Sequence, residues 1–450
     1  MAASNHLPPA EFDHQTNNFA SWLQSSQRVS VNPNITIRDL RSAGAGRGII
    51  ATAPLAKDEL LFSIPRSSVL TLETSDLNAL LGKELRKLES PWLSLILVLI
   101  YETRPDSPWK PYMDILPREF DTLMYWTPEE LSLLRGSAVL NKIGRDEAEE
   151  QFATVLWPII QSRPDVFQAT EAWGSKEAFL QAAHRMGSII MSYSFDLDIV
   201  SEQSPIPTDE DDEEEEEGVC KAMVPLADML NADADQNNCR LFQTPQFLEM
   251  RTIIPVPVGA ELFNDYGPLP RSDLLRRYGY ITPNYTPYDV VEVSAEAIIS
   301  ACDAESGKQD RLDYLLEEDV LDDAYDFDLS LEVPEEILVV MQTLLMTDDE
   351  FADYKRKGKV PRPKLVPVTD RLLRVLQNRL GDYETSIEED EALLKNSEVM
   401  GRRRMAIEVR LGEKKILKGV LDEVVRQTDG KRGMGGGEPK VEDVKRPKLS

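Results

Sequence analysis

The amino-acid sequence predicts an α+β protein: short β-strands with a helical insertion, followed by an all-α C-terminal region. Three observations predict this. Apolar stretches broken by Gly and Pro occur twice, around residues 31–65 and again over 219–282. Between them, from about 75 to 196, apolar residues recur at helical spacing. Beyond about 290 helical periods dominate to about 427. Short Gly- and Pro-bounded runs read as strands, and a 3.6-residue apolar period reads as helix.

The elements follow in order. Residues 12–24 form an amphipathic helix with Phe12, Phe19, Trp22 and Leu23 as its apolar members, closing a tail-and-helix segment over 1–30. Ile35 and Ile37 then alternate with polar residues. Gly44, Gly46 and Gly48 follow, then Ile49-Ile50-Ala51 and Glu59 to Pro65. In the insertion, Trp92 to Tyr101 is a buried helix, and Thr127-Pro128-Glu129-Glu130 starts another, with Thr as N-cap and Glu closing a capping box. Strands return at Arg251–Ile254 and Glu261–Phe263. The last third carries helices at Ile337–Met346, Arg371–Leu380 and Arg402–Val425, with a second capping box at Ser386 and Glu389. Residues 428–450 read as a disordered basic tail.

Composition excludes several function classes. The formal net charge is −29. Asp209 to Glu217 is an unbroken acidic run inside a loop over 202–218, and such a run stays extended and solvated. The rest of the chain is still acidic, so no direct nucleic-acid binding is expected, and a basic protein partner suits it better. The longest apolar run, Trp92 to Tyr101, is half the roughly 20 residues that a membrane helix needs. The opening MAASNHLPPAEFDHQ has neither a basic nor an apolar signal region. The three cysteines, Cys220, Cys239 and Cys302, form no CxxC pair, so neither disulfides nor a zinc cluster is expected. Of three histidines only His184 lies within a domain, in what reads as a buried helix, so no metal site built on histidine is expected. The closing VKRPKLS suggests nuclear import.

Four local features carry the chemistry. Gly44-x-Gly46-x-Gly48 sits between strands, where glycine lets a backbone approach a ligand; no helix follows it, so it is not a dinucleotide fingerprint. Met223 to Asn238 closes an apolar stretch with Asp228, Asn231 and a polar turn. Its Asp233-x-Asp235-x-Asn237 invites a calcium reading, but an EF-hand glycine and glutamate are missing. Glu261 to Gly267 ends a strand in Tyr266-Gly267, where a hydroxyl can enter a cleft. Leu274 to Tyr280 is a helix closed at Gly279 between two tyrosines.

In this order the four features resemble the SET-domain protein lysine methyltransferases. The helical insertion and helical last third resemble the subgroup related to plant Rubisco large-subunit lysine methyltransferase. The resemblance spans about residues 15–425 and rests also on SPWKPYMDILP, MSYSF, MVPLADMLNAD and FNDYG. It implies a SET domain over 31–285, a substrate-binding domain over 290–427, and S-adenosyl-L-methionine as cofactor. It implies that Gly46, Arg47, Gly48, Tyr193, Asn231, Ala232 and Tyr278 hold the cofactor, with Tyr266 as catalytic residue. Trp109, Ser194, Asp196 and Phe242 fall where relatives meet the substrate lysine or its peptide. Ala232 stands where many relatives have histidine, which puts a side-chain role there in doubt.

The chemistry suits the composition. Methyl transfer from a sulfonium to an amine needs no metal and no histidine. It needs a neutral lysine, which desolvation and a nearby positive charge favour. The resemblance implies a basic protein substrate, most readily a large-subunit ribosomal protein, with monomethylation as the expected product. A nuclear signalling or chromatin protein is the alternative target. Two other classes are a non-catalytic SET-like peptide-binding module and an acidic chaperone driven by Asp209–Glu217.

Overall fold

The computed structural model describes residues 7–88, 90–199, 219–302 and 307–432. The acidic run and the basic tail named above lie outside these, apart from residues 428–432. The chain divides into two compact units: residues up to 131 with 141–286, and residues 132–140 with those from 287 onward.

In the first unit, α1 (Pro9–Ser25) starts at a proline and buries Phe12, Phe19, Trp22 and Leu23 on one face. The next long helix, α2 (Pro91–Glu102), is capped by Ser90, whose hydroxyl accepts the Leu93 N–H. Apolar nearly all round, it is buried from Leu93 to Glu102 and runs through the core. Glu102 is the exception; its carboxylate accepts the Ser75 and Ser107 hydroxyls, each at 2.5 Å, while burial pushes its pKa up. The last helix of the insertion, α3 (Lys176–Tyr193), is capped by Ser175. A fourth, α4 (Arg271–Tyr278), stops at Gly279, whose φ of +76° gives the left-handed cap.

The strands are short. In chain order they are β1 (Ser30–Val31), β2 (Ile35–Asp39), β3 (Arg47–Ala51), β4 (Leu60–Pro65), β5 (Ser194–Asp198), β6 (Val219–Met223), β7 (Asn231–Ala232), β8 (Cys239–Gln243), β9 (Phe247–Thr252) and β10 (Phe263–Asn264). Four make an antiparallel sheet in the order β1-β4-β9-β8. The pairs β2–β3 and β5–β6 are antiparallel, and β7–β10 is parallel. Isolated bridges join residues far apart in the chain: Ile50 to Glu261, Leu55 to Val256, Leu70 to Met223. Strands from both sequence stretches therefore share one core. The strand expected at Arg251–Ile254 is shifted to Phe247–Thr252. Its pairing with β4 and β8 sets its ends, where apolar content had pointed further on.

The second unit has its own core. Helices α5 (Glu335–Leu345), α6 (Thr369–Gly381), α7 (Ile387–Leu394) and α8 (Gly401–Arg432) dominate it. The capping box at Ser386 and Glu389 is formed. One two-stranded ladder, β11 (Val291–Ser294) with β12 (Ala324–Phe327), is a feature the helical period does not show. Helix α8 continues to Arg432, past the residue 428 at which the sequence suggested a tail.

Candidate active site

The end of α3, β5, the turn before β7, the residues after β10 and the last residue of α4 enclose a cavity of about 210 Å³. Its walls include Tyr193, Ser194, Asp196, Asp228, Tyr266 and Tyr278. The Ser192 hydroxyl donates to the Arg277 carbonyl at 2.6 Å and so ties α3 to α4 beside it. The Tyr266 and Tyr278 rings stack at 4.2 Å and 6°, and Tyr280 leans on Tyr278 at 6.4 Å. Burial, then the neighbouring tyrosines, push the Tyr266 phenol well above its usual range. Burial likewise raises Tyr193 and Tyr278. These phenols stay protonated at any physiological pH and can donate a hydrogen bond. Among the described residues no cluster of His, Cys, Asp and Glu could hold a metal ion.

Asp228 gives the cavity a buried carboxyl group. It is 8% exposed, and its Oδ2 accepts the Tyr112 hydroxyl at 2.5 Å, while its Oδ1 has no partner. Burial raises its pKa to about 7, against the opposing pull of the Tyr112 bond. The backbone just before it is strained: Leu226 has φ of +80°. A non-glycine residue held there costs about 1–3 kcal/mol and marks a turn that its surroundings over-determine.

Beside the cavity, β3 and β7 bring Gly48 and Asn231 together. The Asn231 amide donates to Glu261 Oε1 at 2.6 Å and to the Arg47 carbonyl at 3.4 Å. Its Oδ1 is buried with no partner. A Cβ on Gly48 would lie 2.4 Å from Leu40 Cδ1, 2.7 Å from Glu261 Oε1 and 3.2 Å from the Asn231 amide nitrogen. A tight, Cβ-free backbone beside an orphaned buried acceptor is the kind of surface that a polar cofactor completes.

A SET-domain family model matches residues 46–267, and a Rubisco LSMT substrate-binding model matches residues 308–417. N-lysine methyltransferase setd6 of Xenopus laevis is 31% identical over 90% of this chain and 94% of its own length. The chain belongs to the SET-domain protein lysine methyltransferases. Ribosomal lysine N-methyltransferase 4 of Saccharomyces cerevisiae is 36% identical over 65% of this chain, and the match spans 60% of that protein. A solved structure of Rubisco LSMT bound to sinefungin and monomethyllysine superposes with a TM-score of 0.69 at 20% identity, covering 96% of this chain and 98% of that one. A second, of LSMT bound to lysine and AdoHcy, also gives 0.69, over 94% and 97%. Both share its fold.

Not every expected site residue of this SET methyltransferase meets at the cavity. The Arg47 side chain turns away from Asn231. It donates to Thr16 Oγ1 at 3.0 Å and the Ile115 carbonyl at 3.2 Å, and lies 3.9 Å over the Phe12 ring; burial lowers its pKa to about 10. Only its backbone is left to serve a cofactor. Gly46 meets nothing within 4 Å of an added Cβ. Ala232 sits in β7 opposite Asn264. Two residues expected on the substrate side stand outside the walls of this cavity. Trp109 does not line the cavity: it is 5% exposed, edge-on to Trp22 at 5.7 Å, in an aromatic group with Tyr112. Phe242 does not line it either; it stands on β8 at 40% exposure. His184 Nε2 donates to Glu149 Oε1 at 3.0 Å, outside the cavity. The sequence reading missed Asp228 and Glu261 as site groups. Asp228 stood in the quoted MVPLADMLNAD, where a lone carboxyl in an apolar stretch is a signal. Glu261 had no such mark.

Proposed function

We propose that this enzyme transfers one methyl group from S-adenosylmethionine to the ε-amine of a lysine in a large-subunit ribosomal protein. The observation that carries the lysine site is the cavity whose wall combines the stacked Tyr266–Tyr278 pair with the half-satisfied Asp228 carboxyl. The ribosomal target draws support from the name of the yeast relative and from the acidity of this chain, which favours a basic partner. The basic closing segment fits a nuclear site of action, where new ribosomal proteins are handled.

S-adenosylmethionine, when bound, supplies an electrophilic methyl group. The chain's own residues do the rest. Asn231, the backbone at Gly46–Gly48, Tyr193, Ala232 and Tyr278 form the cofactor side, with the orphaned Asn231 Oδ1 as a waiting acceptor. Ser194 and Asp196 stand on the substrate side. An exposed lysine titrates near about 10.4, so the amine must lose its proton before it can attack. Aromatic walls strip water from the ammonium and lower that value, and the proton leaves to solvent; an ionised Asp228 attracts the incoming cation but works against that loss. The Tyr266 hydroxyl, protonated throughout, orients the amine. Fixing both reactants in line contributes several kcal/mol of rate enhancement, up to about 7–11 in well-oriented systems.

Purified protein incubated with methyl-labelled S-adenosylmethionine and unmethylated large ribosomal subunits should label one small ribosomal protein. Mass spectrometry should find a single added methyl on one lysine. Tyr266→Phe should reduce the rate by about 100-fold or more at an unchanged melting temperature. Undiminished turnover in that variant removes Tyr266 from its role; label absent from ribosomes but present on another protein removes the ribosomal target.

A further inference from the structure

A second cavity, of about 350 Å³, opens along α3 beside the lysine cavity. Ser194 lines both. The second cavity is walled by Trp92 of α2, by Ile190 and Met191 of α3, and by Phe152. Phe152 begins a π-helical turn, Phe152–Leu156, set between the α-helical Arg145–Gln151 and Trp157–Ser162. Such single π-turns are rare and recur at functional sites. The wall is built deliberately tight. Phe152 stacks on Trp92 at 5.5 Å, and a Cβ at Gly187 would lie 2.8 Å from Trp92 Cζ2, so only glycine lets that indole lie on α3.

Of the cations at its edge, Lys221 is paired with Asp196 at 2.6 Å and Arg276 with Asp273 at 2.8 Å, while Arg277 stands 4.0 Å from the same Asp273. Trp92, Phe152, Ile190 and Met191 give it an aromatic and aliphatic wall that suits an apolar occupant, with His184, Ser188 and Arg277 as its other polar members. The two cavities adjoin at Ser194, so neighbouring residues of an extended peptide, at about 3.3 Å each, can reach both. We propose that this cavity is a specificity subsite. It takes one bulky apolar side chain of the substrate segment, within two residues of the target lysine. The inference rests on the smaller cavity being the lysine site.

The probes are fluorescein-labelled peptides with one central lysine and Leu, Phe, Ala or Asp placed in turn at each of the two residues on either side. Binding is read by anisotropy in the presence of S-adenosylhomocysteine, and methyl transfer with labelled S-adenosylmethionine. Leu or Phe at one flanking position should tighten Kd by about 10-fold or more over Ala, and Asp should not. Ala148→Phe places a ring in the hollow from the 145–151 helix and should erase that gain, leaving transfer to the Ala-flanked peptide unchanged. Met191→Ala widens the hollow and should move the preference from Leu towards Phe. Equal affinity for all flanks, or a gain that survives Ala148→Phe, overturns the subsite while leaving methyl transfer intact. If the wild type neither binds nor methylates any of the peptides, the lysine-site reading falls and the subsite with it.

Discussion

Asp228 is the residue at which stability and function pull against each other. A carboxyl with one oxygen unpaired inside a protein is destabilising by about 1–3 kcal/mol relative to a satisfied one. Because burial holds its pKa at about 7, the folded chain keeps a proton there that the unfolded chain, titrating near about 3.9, has released. The sign follows: this contribution to stability is full below about pH 4 and is lost as pH rises through 7. Across that window the loss is on the order of 4 kcal/mol. Asp228→Asn, which cannot ionise, should flatten the fall. Melting temperatures of both proteins between pH 5 and 8 check this; parallel curves would mean that Asp228 is ionised throughout. An ammonium entering the cavity favours the same carboxylate that folding disfavours, which gives the unpaired oxygen a purpose.

Elements hold these residues through a few positions without side chains. Gly279 ends α4 with φ of +76°, and a Cβ there would lie 2.6 Å from the Asp121 carbonyl carbon and 2.7 Å from the Thr122 nitrogen. Backbone cannot move aside as a side chain can, so Gly279→Ala should destabilise by about 2 kcal/mol or more and displace Tyr278 with it. Gly48→Ala presses instead on the Glu261 and Asn231 side chains, which can shift. It should weaken S-adenosylmethionine binding, read by calorimetry, more than it lowers the melting temperature. The contrast between the two variants separates a fold glycine from a site glycine. Much of this element level was legible in the sequence. The face of α1, the buried α2 and the glycine stop of α4 are all local patterns of spacing and capping, and they stand where expected. The cavity was legible in part, because Tyr193, Ser194, Asp196, Tyr266 and Tyr278 lie in short quoted motifs. What was not legible is orientation. The Arg47 side chain points into α1 although its backbone faces Asn231, and Trp109 packs on Trp22. Neither choice is encoded within a few residues of the side chain that makes it.

At the scale of the whole molecule, the chain's acidity is managed differently inside and out. Buried carboxyl groups in both units, Glu102, Asp390 and Glu413 among them, are built into polar networks. Glu102 rests on two serines in the first. In the second, Asp390 takes a two-pronged bond from Arg410, at 2.6 and 2.9 Å, and one from Lys414 at 2.7 Å. Burial works to raise its pKa, but the two cations outweigh it and hold it low. Asp390→Ala would strand those buried cations and should destabilise the second unit by about 3–5 kcal/mol. Only twenty-odd residues on, Glu413 has the opposite arrangement. It accepts the hydroxyls of Ser137 at 2.6 Å and Tyr383 at 2.7 Å, with no cation in bonding reach among the described residues, and burial raises it to about 7. Ser137 belongs to 132–140, a segment that lies in the sequence of the first unit and folds with the second. Nothing in SLLRGSAVL announces that exchange. Its consequence is measurable. Below about pH 4.5 the Glu413 contribution is full, and by pH 8 about 3 kcal/mol of it is gone, because the folded state alone holds the proton. Hydrogen exchange of the full chain at pH 5.5 and 8 should therefore show protection falling around Ser137, Tyr383 and Glu413 as pH rises, after correction for the intrinsic rate. Glu413→Gln should remove that fall while leaving the β4–β9 ladder of the first unit unchanged. Equal corrected protection at both pH values would show that the carboxyl is ionised in place, and that its two hydroxyl donors suffice to hold the charge.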